Sequence, residues 1–172
     1  MTLQGHRPPH LDAIRAEVTN LLAAAGNQDA ASARHALLAL TVRDLVPDEA
    51  LILAELARRR TAPALHLQTW TRTGLPGQPL LEDASPLGRW AGVALPQLTG
   101  HYLGHLRRLG LIEHGPADDR FEDDYQALMA DPAVLGVLAR VCASSVTPHT
   151  VRSSVHLTAL GRELCDEAFP AS

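Results

Sequence analysis

The stretch Thr99-Gly-His-Tyr-Leu-Gly-His-Leu-Arg-Arg-Leu-Gly-Leu-Ile-Glu113 reads as a helix that stops at a glycine and drops directly into a strand. The helix is expected over Leu95 to Leu109, where Leu98, Tyr102, Leu103, Leu106 and Leu109 recur at helical spacing, so one side must pack into a core. Gly110 supplies a left-handed stop, and Leu111 and Ile112 continue as a strand. The opposite face carries Gln97, His101, Gly104, His105 and Arg108, a polar set with donors suited to base edges and phosphates.

Downstream, Gly115 and Pro116 close that strand and an acidic stretch follows from Asp118 to Asp124. Helical pattern then runs from Asp124 to Ala143, broken at Asp131-Pro132. Val151 to Leu157 alternates as a second strand, and Thr158 caps a last helix that runs to about Phe169. Helix, tight glycine turn, strand, second strand and Leu157-Thr-Ala-Leu-Gly161 together are similar to a winged helix. The connection between the two strands is far too long for a simple wing, so it must hold inserted helices, over about residues 116–148. The expected fold class is mainly α: a winged helix-turn-helix with an N-terminal helical extension and helices inserted between the two wing strands.

Upstream, residues 1–10 read as a flexible tail and residues 11–45 as the helical extension; residues 46–172 form the winged-helix domain. Leu11, Ile14, Val18, Leu21, Leu22 and Ala25 make a helical stripe ended by Gly26 and Asn27, and Ala31 to Leu40 is a second short helix. These helices are apolar enough to need packing on their own core or a homodimer interface. Pro47, Asp48 and Glu49 fit a first helical turn. Leu65 to Trp70 alternates like a short strand; Gly74, Pro76, Gly77 and Pro79 mark a loop, and Ser85-Pro86 opens a helix through Trp90 to Val93.

Length, 172 residues, suits one domain with an extension, and 46% hydrophobic residues suit a globular chain. Aromatics are only 3%, so Leu, Ala and Val must build the core. All 15 cationic residues are arginine, and the formal net charge of −4 excludes a histone-like coat while allowing a local basic patch. Cys142 and Cys165 lack CxxC spacing and are expected as buried thiols in a reducing compartment. The first residues contain no apolar leader, and no run approaches the roughly 20 residues that span a bilayer, so a cytoplasmic protein without membrane contact is expected.

Four stretches resemble the abortive-infection alpha family and a related group of uncharacterised bacterial proteins: Ala16 to Ala25, Leu45 to Leu53, Leu106 to Glu113 and Val155 to Cys165. That resemblance implies an N-terminal helical part joined to a winged-helix-like half whose wing is interrupted by helices, and a link to phage defence. The Leu106–Glu113 and Val155–Cys165 pair is also similar to many winged-helix transcription regulators.

The leading expectation is therefore a regulatory or phage-defence protein that binds double-stranded DNA. Gln97, His101, His105 and Arg108 would line the recognition face, with Arg107, Arg120 and Arg152 as phosphate contacts. The alternative is a winged-helix protein-interaction module, because Asp118, Asp119, Glu122, Asp123 and Asp124 would oppose phosphates. DNA binding requires Arg107, Arg108, Arg152 and the Arg58-Arg59-Arg60 run to share a surface that excludes those acids. His101 and His105 lie four apart on one helix face with His114 nearby, but they lack a cysteine or HExxH partner, so neither metal nor cofactor is expected. Without a GxSxG, P-loop or GxGxxG pattern, no enzyme is expected either.

Overall fold

The computed structural model describes residues 9–70, 75–142 and 147–169. Most of the expected tail, and Gly74 of the expected loop, lie outside the described residues. The chain forms two compact units, Met1–Asp44 and Leu45–Ser172.

The first unit holds α1 (Pro9–Gly26) and α2 (Ala30–Arg43). The Asp29 side chain caps α2 by accepting from the Ser32 N–H at 2.7 Å, and that bond holds its carboxyl below the usual range. Among the described residues α1 and α2 do not pack along each other. Their apolar side chains lie open: Leu11, Ile14, Val18, Leu21 and Leu22 on α1, and Leu37, Leu40 and Val42 on α2, are 40–69% exposed.

In the second unit the order is α3 (Pro47–Arg59), β1 (Ala62–Trp70), β2 (Pro76–Ala84), α4 (Leu87–Ala91), α5 (Thr99–Arg108), β3 (Ile112–Gly115), α6 (Glu122–Met129), α7 (Pro132–Cys142), β4 (Pro148–Leu157) and α8 (Ala159–Ala168). The molecule is thus mainly helical with one small antiparallel sheet of strand order β2-β1-β4-β3. Strand β3 pairs with β4 from Ile112↔Leu157 to Gly115↔Ser154, and α6 and α7 intervene between them in sequence.

Two readings are corrected. The segment taken as a loop around Pro76 and Pro79 is the edge strand β2; proline is tolerated there because an edge strand pairs on one side only. Register shifts along the β1–β2 pair absorb the irregularity. The helix expected from Leu95 is shorter: Pro96–Leu98 form a 3-10 turn and α5 begins at Thr99. Gln97 therefore precedes α5.

Local chemistry explains the remaining boundaries. Glu49 accepts from the Val46 N–H at 3.0 Å at the start of α3. Gly110 has φ +72°, the left-handed conformation that ends α5 before β3. Thr158 caps α8 by accepting from the Gly161 N–H at 3.0 Å. The core gathers Ile52, Leu53 and Leu56 of α3 with Leu103 and Leu106 of α5, and with Leu111, Ile112, Val155 and Leu164. Leu65 and Leu67 of β1 pack with Leu128, Val134, Val137 and Val141 of α6 and α7. Tyr125 ties this insertion to the sheet: its buried hydroxyl donates to the Ser153 carbonyl at 2.8 Å.

Candidate functional site

The polar face of α5 is divided in use. His101 and Arg108 are exposed, and so is Gln97 in the turn before the helix. Gln97 and His101 line a groove of about 450 Å³ whose walls also include Glu82, Arg89, Thr99 and Val134. His105 instead turns toward α3, with Nδ1 2.7 Å from Oε1 of the fully buried Glu49. Gly100 sits so close to β2 that a Cβ there would stand 2.8 Å from the Glu82 carbonyl oxygen. The N-terminal half of α5 therefore lies against the sheet.

All three arginines expected at phosphates are already engaged by carboxylates. Arg120 donates to both oxygens of Asp118, the shortest contact being 2.6 Å, and this pairing draws the Asp118 carboxyl down. Arg152 donates to Glu122 of the acidic stretch at 2.7 Å and lies over the Tyr125 ring at 5.3 Å. Arg107 approaches Asp83 at 3.7 Å and Glu82 at 3.9 Å. Arg108 makes no ion pair among the described residues. In the arginine run, Arg58 and Arg59 both pair with Glu55 on their own helix, and Arg59 lies 4.2 Å over the Trp90 ring.

Elsewhere the fold assembles a polar cluster from separate strands. Asp83 of β2 is 1% exposed, and its Oδ1 lies 2.6 Å from Nε2 of His114 on β3 and 4.0 Å from Nδ1 of His66 on β1. Strands in a sheet stand about 4.8 Å apart, so a flat sheet would separate β2 and β3 by about 14 Å. The short Asp83–His114 contact shows that the sheet curls until its edges meet. Asp83 has φ +57°, a left-handed conformation that aspartate tolerates better than most residues. Its own N–H donates to His66 Nδ1 at 3.2 Å. His66 Nε2–H then donates to Ser153 Oγ at 2.9 Å, and Ser153 donates on to the Ala64 carbonyl at 3.3 Å. Burial pushes the His66 imidazole below its ordinary range, outweighing the opposing pull of Asp83. Arg107 stands at the rim, with Nη1 3.4 Å from His114 Nδ1.

The candidate metal triplet His101, His105 and His114 is not brought together: His101 is exposed and His105 pairs with Glu49. His66, Asp83 and His114 are the group whose donor atoms converge, all within 4.8 Å of one another. Sequence reading missed Asp83 because it lay in an expected loop, and missed His66 because a lone histidine in an alternating strand carries no spacing signal. The partners lie 17 and 31 residues apart on three strands, a separation without a local motif.

A family model described as abortive infection alpha matches residues 3–168. Among solved structures, that of an uncharacterized protein from the hydrocarbon-degrading marine bacterium Alcanivorax borkumensis SK2 is similar, with a TM-score of 0.65 and 26% sequence identity over 80% of this chain and 95% of that chain. No curated protein matches the chain. Among the described residues, no helix is long and apolar enough to cross a membrane.

Proposed function

The chain belongs to the abortive infection alpha family, which relates it to phage defence, and from that premise we propose that it acts as a winged-helix-derived protein-interaction module rather than as an enzyme. The succession α3, α4, α5, β3 and β4, with β1 alongside β4, supports the winged-helix reading; the β1–β2 hairpin and the pair α6–α7 are then additions to it.

One observation carries the interaction reading. Leu11, Ile14, Val18, Leu21 and Ala25 follow alternating spacings of three and four, the seam of a paired helix, and every one of them is exposed. An isolated helix of this length is marginal in water, because nucleation is costly and its stability must come from burying an apolar face. The occupant this pattern fits is another helix of matching spacing, which a second copy of the chain supplies. The pairing of Arg152 with Glu122, inside the acidic stretch, argues in the same direction, since that cation does not share a surface free of acids.

The test is light scattering on the full chain during gel filtration. Wild type is expected as a dimer, and the double substitution Val18→Glu with Leu21→Glu as a folded monomer. A wild-type monomer at tens of micromolar would overturn the reading.

A second reading, binding of double-stranded DNA through the outer face of α5, is favoured by exposed Gln97, His101 and Arg108, the last without an ion pair among the described residues. It expects affinity for mixed duplex DNA that falls steeply with salt and is lost in Arg108→Glu.

A further inference from the structure

Three features of the His66–Asp83–His114 cluster point to a ligand rather than to packing alone. First, two imidazole nitrogens and a carboxylate oxygen are the donor set that suits zinc and its neighbours among divalent cations. In a tetrahedral site with bonds near 2.0–2.2 Å, ligand atoms stand about 3.4 Å apart. Here Asp83 Oδ1 lies 2.6 Å from His114 and 4.0 Å from His66, so sub-ångström to ångström-scale shifts of three side chains would reach that spacing.

Second, His66 is already supported as a ligand. Its Nε2–H is spent on Ser153, which is anchored in turn on Ala64, so Nδ1 carries the lone pair; that lone pair now accepts the Asp83 N–H at 3.2 Å and would exchange this bond for the ion. An outer hydrogen bond of this kind sets both the tautomer and the ring orientation of a metal-binding histidine.

Third, the competing cation is loosely held. Arg107 is 39% exposed, and its distances of 3.4–3.9 Å to His114, Asp83 and Glu82 are longer than good charge-assisted hydrogen bonds. Glu82 offers it an alternative partner outside the cluster.

We propose that His66, Asp83 and His114 form a binding site for one divalent transition-metal cation of the zinc class, for which Arg107 competes. On binding, the proton on His114 Nε2 passes to Nδ1, Nε2 and Asp83 Oδ1 both turn to the ion, and Arg107 swings toward Glu82. Three protein donors leave a fourth position for water, and the ion clasps the two edges of the curled sheet. His66 and His114 are both partly open, at 16% and 23% exposure, which gives the ion a path in.

The experiment is a titration of the chelator-treated full chain with Zn²⁺, followed by calorimetry and by thermal unfolding, with visible absorption of Co²⁺ as a second probe. One equivalent should bind and raise the melting temperature. His66→Ala and His114→Ala should each weaken binding by at least about tenfold, whereas His101→Ala and His149→Ala should leave it unchanged. Arg107→Gln should tighten binding, an effect that a purely structural clasp would not produce. Asp83→Asn keeps the shape of the side chain, and circular dichroism establishes its folding; the folded variant should lose the site. Absence of saturable binding, binding that survives the loss of both His66 and His114, or weaker binding in Arg107→Gln would overturn the proposal.

Discussion

Replacing a helical glycine by alanine ordinarily stabilises a helix by about 1 kcal/mol, but at Gly161 the fold reverses the sign. A Cβ built on Gly161 would stand 2.9 Å from the carbonyl carbon of Leu111 and closer still to its oxygen, against an ordinary contact of 3.4 Å or more. Relieving the closer contact with the oxygen requires the start of α8 and the Leu111 backbone to part by more than about 1 Å, a typical overpacking cost of about 1–3 kcal/mol. That movement pulls on two hydrogen bonds at the same joint: Thr158 N–H to the Leu111 carbonyl at 3.0 Å and Thr158 hydroxyl to the Gly110 carbonyl at 2.5 Å. Weakening both adds about 1–2 kcal/mol, and the propensity gain returns about 1. Gly161→Ala should therefore lose about 3 kcal/mol, or about 10 °C in melting temperature for a unit of this size. Gly104→Ala is the internal control, because a Cβ on that α5 glycine meets only the far end of Arg108, at 4.0 Å; it should gain up to about 1 kcal/mol. Urea unfolding followed by circular dichroism reads both. If Gly161→Ala falls within about 0.5 kcal/mol of wild type, or is stabilised like the control, α8 does not rest on the Leu111 carbonyl and the joint described here is wrong.

Glu49→Ala removes both the acceptor for the Val46 N–H and the buried partner of His105, and should cost about 2–3 kcal/mol in the same unfolding assay. Cys165 is buried and its thiol is pushed up from 9.0 to about 11, mainly by desolvation. In the native protein Cys165 should therefore resist a disulfide reagent at pH 8 that labels the same residue rapidly in the urea-unfolded chain. Because the folded thiol has the higher pKa, its contribution is complete below pH 9 and is lost as pH rises from 9.0 toward about 11. Cys165→Ala should flatten that alkaline decline, and an equally steep decline in the variant would assign it to other groups. Tyr125→Phe deletes the hydroxyl bond to the Ser153 carbonyl and the one the hydroxyl accepts from the Asp118 N–H and should destabilise by about 1–2 kcal/mol, while a larger loss of tertiary signal would mean that the inserted helices depend on that anchor more than these two bonds allow.

Much of the architecture was legible because local rules govern it. The stop at Gly110, the acids at the start of α3, the break at Asp131-Pro132 and the Thr158 cap each depend on residues within one helical turn. Strand β2 was not legible, since Pro76, Gly77 and Pro79 are turn residues by local chemistry and become strand only by pairing with β1 at an edge. The polar face of α5 was readable as polar but not as occupied. His105 and Arg107 look alike in sequence to their neighbour Arg108, yet Glu49 and Asp83 engage the first two and leave the third open.

Periodicity and capping were enough to establish a mainly helical chain, the two strands that flank the inserted helices and the apolar stripe on α1, because these features follow from neighbours a few bonds apart. Tertiary folding alone decided which charges meet. His66, Asp83 and His114 converge because the sheet twists and curls through four strands, and Arg107 and Arg152 find acids that lie far from them in sequence. Electrostatic partnership depends on distance in space, and a chain read in order has no measure of that distance until its core has closed.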